Sequence, residues 1–255
     1  MECLTNEIQL WFTYNEEIKD PGLLSQYRLL LNEEESLQYQ RFHFEKDRHQ
    51  YLVTRAMVRS VLSLYADDIA PNEWCFIKNK YGKPSINNRA LKIPLNFNIS
   101  HTEKLIVMAV THGHEIGVDT EYLLRKGQLL DIAGSYFSPD EVKSLLELPK
   151  DQQLARFFDY WTLKEAYIKA CGQGLSIPLN DFSYSFSQQT GINISFVPHR
   201  NDHAKYWQFW QIHPNDIHKI AIAIKTGFLN TSFRLSMKII VPLDSFDEVS
   251  YPYNT

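Results

Sequence analysis

The sequence predicts an α+β protein made of two similar halves, residues 1–115 and 116–230. Three observations carry this. Helical periodicity is followed by strand alternation, and that order occurs twice along the chain. A length of 255 residues suits one large domain or two small ones. Hydrophobic content of 44% and charged content of 22% are those of an ordinary globular chain, and 13% aromatics suit a thick core or a cleft. No low-complexity linker separates the halves, and no strict repeat is visible.

The elements follow in order. IQLWFTY (8–14) reads as a first strand. Pro21-Gly22 reads as a break. Asn32 followed by Glu33, Glu34 and Glu35 is a helix start, with Leu31 ahead of it as a hydrophobic staple. Residues 45–65 form a strong helix, ended by Asp67 to Pro71. WCFIK (74–78) is a strand and NKYGKP (79–84) a turn. LNFNIS (95–100) and LIVMAVT (105–111) are strands around the corner His101-Thr102-Glu103, and IGVDTE (116–121) is another. Ser138-Pro139-Asp140-Glu141 is a capping box whose helix reaches about Glu147, with Pro149 as punctuation. A long helix spans about Asp151 to Ala170, and Gly172 supplies its left-handed stop. The pattern then turns mostly β: FSYSFS (182–187), GINISFV (191–197), YWQFWQIH (206–213), KIAIAIKT (219–226) and FRLSMKIIV (233–241). The terminal SYPYNT (250–255) reads as loose.

Bulk properties exclude several functions. A net charge of −4 gives no global basic field, so nucleic-acid binding is not expected and any anion site must be local. Three widely spaced cysteines, Cys3, Cys75 and Cys171, form no C-x-x-C pair. They argue against a disulfide framework or a zinc site and for a reducing, cytoplasmic setting. The acidic N-terminus lacks the basic flank of a signal peptide, and the apolar runs are too short to span a bilayer. The phosphate-loop, dinucleotide, G-x-S-x-G and H-E-x-x-H motifs are all missing.

The residues able to do chemistry form a short set. Asp119 and Glu121 leave the same face of a strand, because side chains alternate with period two. Two carboxylates on one face are costly unless a cation lies between them; the ordinary alternative is a solvated strand end. On the long helix, Glu165 shares a face with Trp161, Ile168 and Lys169. An exposed Glu–Lys helix pair is common, but Phe157, Phe158, Tyr160, Trp161 and Tyr167 surround this one. A third acid beside D-x-E would complete a metal site, with Lys169 one turn away to reach a phosphate oxygen. Ser100 and His101 stand at a strand corner, where a histidine holds a phosphate or is a plain turn residue. Lys78, Lys80 and Lys83 cluster around one turn, either solvated or forming a local anion site. Arg48, Arg55 and Arg59 line one side of the first long helix, and structural pairing is the better account of the last two.

These pieces resemble the paired signature of the 4′-phosphopantetheinyl transferases. IGVDTE matches G-[VI]-D-x-E, and WTLKEAYIKACGQGL (161–175) matches W-[ST]-x-K-E-[AS]-[YF]-x-K-x-x-G-x-G at every fixed position. YGKP (81–84), FNISH (97–101) and, more loosely, RFHFEKDRHQYLVTRAMVRS (41–60) match blocks of the larger, surfactin-synthetase-activating class. The resemblance covers roughly residues 40–225 in order. It implies a monomer of two pseudo-symmetric α+β halves, 1–115 and 116–255. Each is a small, mostly antiparallel sheet packed on a long helix, with coenzyme A in the cleft between them. The implied reaction moves the 4′-phosphopantetheine arm of coenzyme A onto a serine of an apo acyl, aryl or peptidyl carrier protein, releasing adenosine 3′,5′-bisphosphate. By the same resemblance Asp119, Glu121 and Glu165 hold Mg²⁺ (or Mn²⁺), and Glu165 is the base. Lys169 and His101 steady phosphate oxygens. Tyr81, Gly82, Lys83, Pro84 and Ser100 line the coenzyme A cleft. Surfactin-type members often carry lysines just ahead of the Arg41-Phe42 position, where this chain has Glu35 and Gln38. The 3′-phosphate contacts therefore move to Lys46 and Lys78. The same acids would also serve a Mg²⁺-dependent pyrophosphate hydrolase acting on coenzyme A-like nucleotides. A non-enzymatic carrier-binding module is the third reading. Carriers are commonly acidic along their docking helix, so a local basic patch is expected to receive them.

Overall fold

The computed structural model describes residues 6–89, 91–92, 94–125, 129–227 and 231–255; Cys3 lies outside them. The elements are β1 (Glu7–Thr13), α1 (Pro21–Leu29), α2 (Glu33–Arg41), α3 (Glu45–Ser63), β2 (Phe76–Lys78), β3 (Pro84–Ile86), β4 (Leu95–Thr102), β5 (Leu105–His112) and β6 (Glu115–Tyr122). They continue with α4 (Ala133–Tyr136), α5 (Pro139–Leu146), α6 (Lys150–Cys171), β7 (Phe182–Ser187), β8 (Gly191–Phe196), β9 (Trp207–Asn215), β10 (His218–Lys225), β11 (Arg234–Val241), β12 (Ser245–Val249) and β13 (Tyr253–Asn254). This is the α+β mixture the sequence predicts.

Two sheets form the centre, one in the order β12-β11-β1-β5-β4 and the other in the order β13-β9-β10-β6. Their pairings are antiparallel except β1 with β11, which is parallel. Period-two alternation sorts the side chains into layers. From β1 and β5, Ile8, Leu10, Phe12, Leu105, Val107 and Ala109 meet Ile116, Val118, Ile220, Ile222 and Ile224 from β6 and β10. The sheets therefore pack face to face. On the outer face of the first, Trp11, Ile106, Met108 and Val110 pack with Leu52, Val53, Ala56 and Met57 of α3. On the outer face of the second, Ala221 and Ala223 pack with Leu163, Ala166, Tyr167 and Ala170 of α6. The order of layers is helix, sheet, sheet, helix, with one long helix on each sheet.

Three expectations are corrected. Pro21 begins a helix instead of breaking the chain: Asp20 Oδ1 accepts from the Leu23 N–H at 2.7 Å, and proline occupies the first turn, where no N–H is needed. The C-terminus is not loose, since β13 pairs with β9 and Thr255 O accepts from Ile192 N at 2.9 Å. Nor do the sheets follow the 1–115 and 116–255 division throughout, because β11 and β12, from the second range, complete the first sheet.

The D-x-E strand lies very close to α6. A Cβ added at Gly117 would stand 2.0 Å from Ala166 O and 2.3 Å from Ala170 N. Glycine on β6 and small residues on α6 let the two backbones approach, which places the next outward residues of β6, Asp119 and Glu121, under the helix. We expect Gly117→Ala to destabilise the protein by about 1–3 kcal/mol or more through overpacking. Urea unfolding would show a lowered midpoint, and an unchanged midpoint would remove the close contact from the account.

Candidate active site

The site forms where the edges of the two sheets meet. β4 ends the first sheet and β6 ends the second. Asn96, Asn98 and Ser100 alternate along β4 on the face opposite Leu95 and Phe97. Asn98 Oδ1 accepts from Val118 N at 2.9 Å, tying the two edges together. The sequence reading missed Asn98, although polar residues at 96, 98 and 100 are a period-two signal for a strand turned toward something other than core.

Asp119 is buried, with 5% of its surface exposed. Its Oδ1 accepts from Ser100 Oγ at 3.0 Å and from Lys169 Nζ at 2.6 Å, and Lys169 Nζ also donates to Ser100 Oγ at 2.8 Å. Asp119 Oδ2 is buried without a hydrogen-bond partner. Burial and the Asp119 charge push Glu121 up to about 7, partly offset by Arg125 and a hydrogen bond from Trp161. Burial, then the Asp119 charge, also push Glu165 up to about 7; Lys169 opposes this and Glu121 adds to it. Three carboxylates therefore feel one another across a site with one ammonium among them. His101 opens at the surface, but surrounding protein and then the Lys169 charge hold it below the usual imidazole value.

Asp119, Glu121, Glu165, Lys169, Ser100 and His101 are thus brought into one neighbourhood. Among the described residues no group of three or more His, Cys, Asp and Glu side chains forms a ready metal-ligating cluster. The donor chemistry nonetheless fits a hard divalent cation: all-oxygen ligands, one of them a buried and unsatisfied carboxylate oxygen, and two acids whose ionisation is resisted.

The other expected ligand residues divide. Lys46 is exposed and lines a cavity of about 650 Å³ that also includes His49, His101 and Lys104. Lys83 and Pro84 border a separate cavity of about 250 Å³ with Asn79 and Gly172. Lys78, Tyr81 and Gly82 are exposed on the β2–β3 hairpin. The Lys83 ammonium is engaged, donating to Ala170 O at 2.8 Å, Glu115 Oε2 at 3.1 Å and Ile116 O at 3.4 Å. Gly172 adopts the expected left-handed stop at φ 67°, and Leu175, which closes the WTLKEAYIKACGQGL stretch, is 69% exposed.

Several motif charges prove architectural. Lys164 is fully buried; it pairs with Glu141 at 2.8 Å and donates to Leu179 O and Phe182 O, each at 2.6 Å. It locks α6 to α5 and β7. Arg55 and Arg59 pair with Glu35, as the structural account expects. Glu35 also closes the Asn32 capping box, so the acid that departs from the family pattern holds α2 on α3. Cys75 and Cys171 are free thiols. No described helix is long and apolar enough to cross a membrane.

A raised carboxylate pKa means that the folded state holds its proton more tightly. The fold is therefore favoured below the unfolded value of 4.5, and that contribution is lost as pH rises toward about 7. With chelator present we expect the melting temperature to fall between about pH 5 and pH 8, and Mg²⁺ to restore more of it at the upper end. Glu165→Gln should flatten the slope. A wild-type slope of the opposite sign would overturn the electrostatic picture.

The chain is similar in sequence to known proteins. Residues 115–225 match the family model described as the 4′-phosphopantetheinyl transferase superfamily, and residues 21–113 match the 4′-phosphopantetheinyl transferase N-terminal model. The chain is 30% identical over 228 residues to the 4′-phosphopantetheinyl transferase HetI of Nostoc sp., covering 89% of this chain and 91% of that protein. It is 36% identical over 155 residues to the 4′-phosphopantetheinyl transferase Sfp of Bacillus subtilis, covering 60% and 66%. A holo-(acyl-carrier-protein) synthase structure from Bacillus anthracis, in complex with CoA (3′,5′-ADP), overlaps with a TM-score of 0.37 at 17% identity, covering 44% of this chain and 96% of that one. Identity to HetI across nearly the whole of both chains, with both family models matched in order, shows that this chain belongs to the 4′-phosphopantetheinyl transferase superfamily.

Proposed function

We propose that this enzyme transfers the 4′-phosphopantetheine arm of coenzyme A to a serine hydroxyl of an apo acyl, aryl or peptidyl carrier protein, releasing adenosine 3′,5′-bisphosphate. One observation carries the reading. At a single sheet seam, a carboxylate with a pKa near neutrality, Glu165, lies within electrostatic reach of Asp119, Glu121 and the Lys169 ammonium. Carrier serine oxygen attacks the β-phosphorus of coenzyme A. The new serine O–P bond forms as the bond from that phosphorus to the bridging oxygen breaks, and the bridging oxygen leaves with the electron pair on the 5′-phosphate of adenosine 3′,5′-bisphosphate.

Glu165, directly or through a water, is the base that accepts the serine proton; in the metal-free protein, burial and the Asp119 charge hold its carboxyl at about 7. Lys169 and a neutral His101 donate hydrogen bonds to phosphate oxygens as charge builds. Ser100 orients both Lys169 and Asp119. Asp119, Glu121 and Glu165 would hold Mg²⁺ or Mn²⁺, which when bound supplies Lewis acidity at the pyrophosphate. Lys46, beside His101 on the larger cavity, is the better placed of the two 3′-phosphate candidates. The reading carries with it a cytoplasmic, monomeric enzyme with a local basic surface for acidic carriers.

Incubation with coenzyme A, Mg²⁺ and a panel of apo carrier proteins should add one phosphopantetheinyl mass to at least one carrier. Glu165→Gln and Asp119→Ala should each lower turnover by roughly 100-fold or more, with circular dichroism unchanged. Free phosphopantetheine appearing without any acceptor would instead support the hydrolase. Calorimetric binding of a carrier but not of coenzyme A would support the binding module.

A further inference from the structure

The β2–β3 hairpin belongs to the first half, yet its tip ends on the catalytic helix. Phe76 and Ile86 anchor its base in the core beneath α3. At the tip, Asn79 Oδ1 accepts from the N–H groups of Tyr81 at 2.9 Å and Lys83 at 3.0 Å, which fixes the turn. Asn79 Nδ2 then donates to Gly172 O at 2.7 Å, and Lys83 Nζ donates to Ala170 O at 2.8 Å. The last carbonyls of a helix have no partner within the helix and carry the negative end of its dipole. An ammonium and an amide from the other half of the protein fill that role here.

The placement matters for the site. Ala170 follows Lys169 directly. Ile116, whose carbonyl accepts from the same ammonium at 3.4 Å, lies three residues before Asp119. Lys83 therefore stitches the start of β6 to the end of α6 beside the tight Gly117–Ala170 contact, and Glu115 Oε2 at 3.1 Å completes its charge balance. Sliding or fraying of the last turn of α6 would move Lys169 away from Asp119 and Ser100. We infer that Lys83, helped by Asn79, is a positioning residue. Its side chain clasps the catalytic helix to the D-x-E strand and sets the Lys169–Asp119 geometry, instead of serving as a phosphate contact. The clasp belongs to the smaller cavity, apart from the one shared by Lys46 and His101.

The role in turnover rests on the transferase reading, so the test has a substrate-free arm. In ligand-free protein, Lys83→Met should speed hydrogen exchange in the last turn of α6 and the first residues of β6 by about tenfold or more, with α3 unchanged. In the transfer assay, kcat should fall by about ten- to a hundredfold, as expected for displaced catalytic groups, while the calorimetric Kd for coenzyme A stays within about twofold. Asn79→Ala, at an exposed position, should show the same split at smaller size, and Lys83→Arg should recover part of kcat. A Kd for coenzyme A weakened about tenfold with normal kcat would overturn the proposal and make Lys83 a ligand contact. Unchanged exchange in both Lys83→Met and Asn79→Ala would overturn it as well. Faster exchange in a protein that never modifies a carrier would leave the clasp standing and sink the transferase reading instead.

Discussion

The close contact of β6 with α6 governs the geometry of the candidate site. With glycine at 117 and alanine at 166 and 170, the D-x-E strand lies against a helix whose own acid and lysine face it. A Cβ in that gap would separate Asp119 from Lys169, which now meet at 2.6 Å. The charged site is thus made possible by the absence of side-chain volume a turn away. Backbone proximity is set first, and the electrostatics follow from it.

That proximity also explains why the site resists ionisation. The acids come from two elements pressed together at a sheet edge, with one ammonium available and one carboxylate oxygen left unpaired. Such a site stores unfavourable electrostatics that a divalent cation and a diphosphate are chemically suited to relieve. The rest of the molecule supports it. Lys164 and Glu141 hold α6 from the far side, and Asn98 holds β6 from the neighbouring sheet.

Much of this was legible in the chain. Period-two alternation in IGVDTE placed Asp119 and Glu121 on one face, and the 3.6-residue period placed Glu165 with Lys169. Capping boxes marked the starts of α2 and α5. The use of each cation was much harder to read. Lys83 and Lys164 bond to main-chain carbonyls, and a carbonyl acceptor has no sequence signature because every residue offers one. Pro21 was misread because Asp20 is a cap only once the following turn is helical. The C-terminal strands were missed for other reasons: β12 is largely exposed and shows no apolar alternation, and β13 is two residues long with its partner β9 far earlier in the chain.

Strand β1 lies at the middle of the first sheet, and its parallel neighbour β11 begins at Arg234. During synthesis on a ribosome, the opening strand therefore emerges long before one of its two flanking partners exists. β5 covers the other edge, so until then the edge that β11 will fill stays open to a stranger. Completion of the first sheet waits for residues 234–249, so the two sheets and the acidic seam between them are expected to consolidate together, once those residues are made, as a single cooperative event.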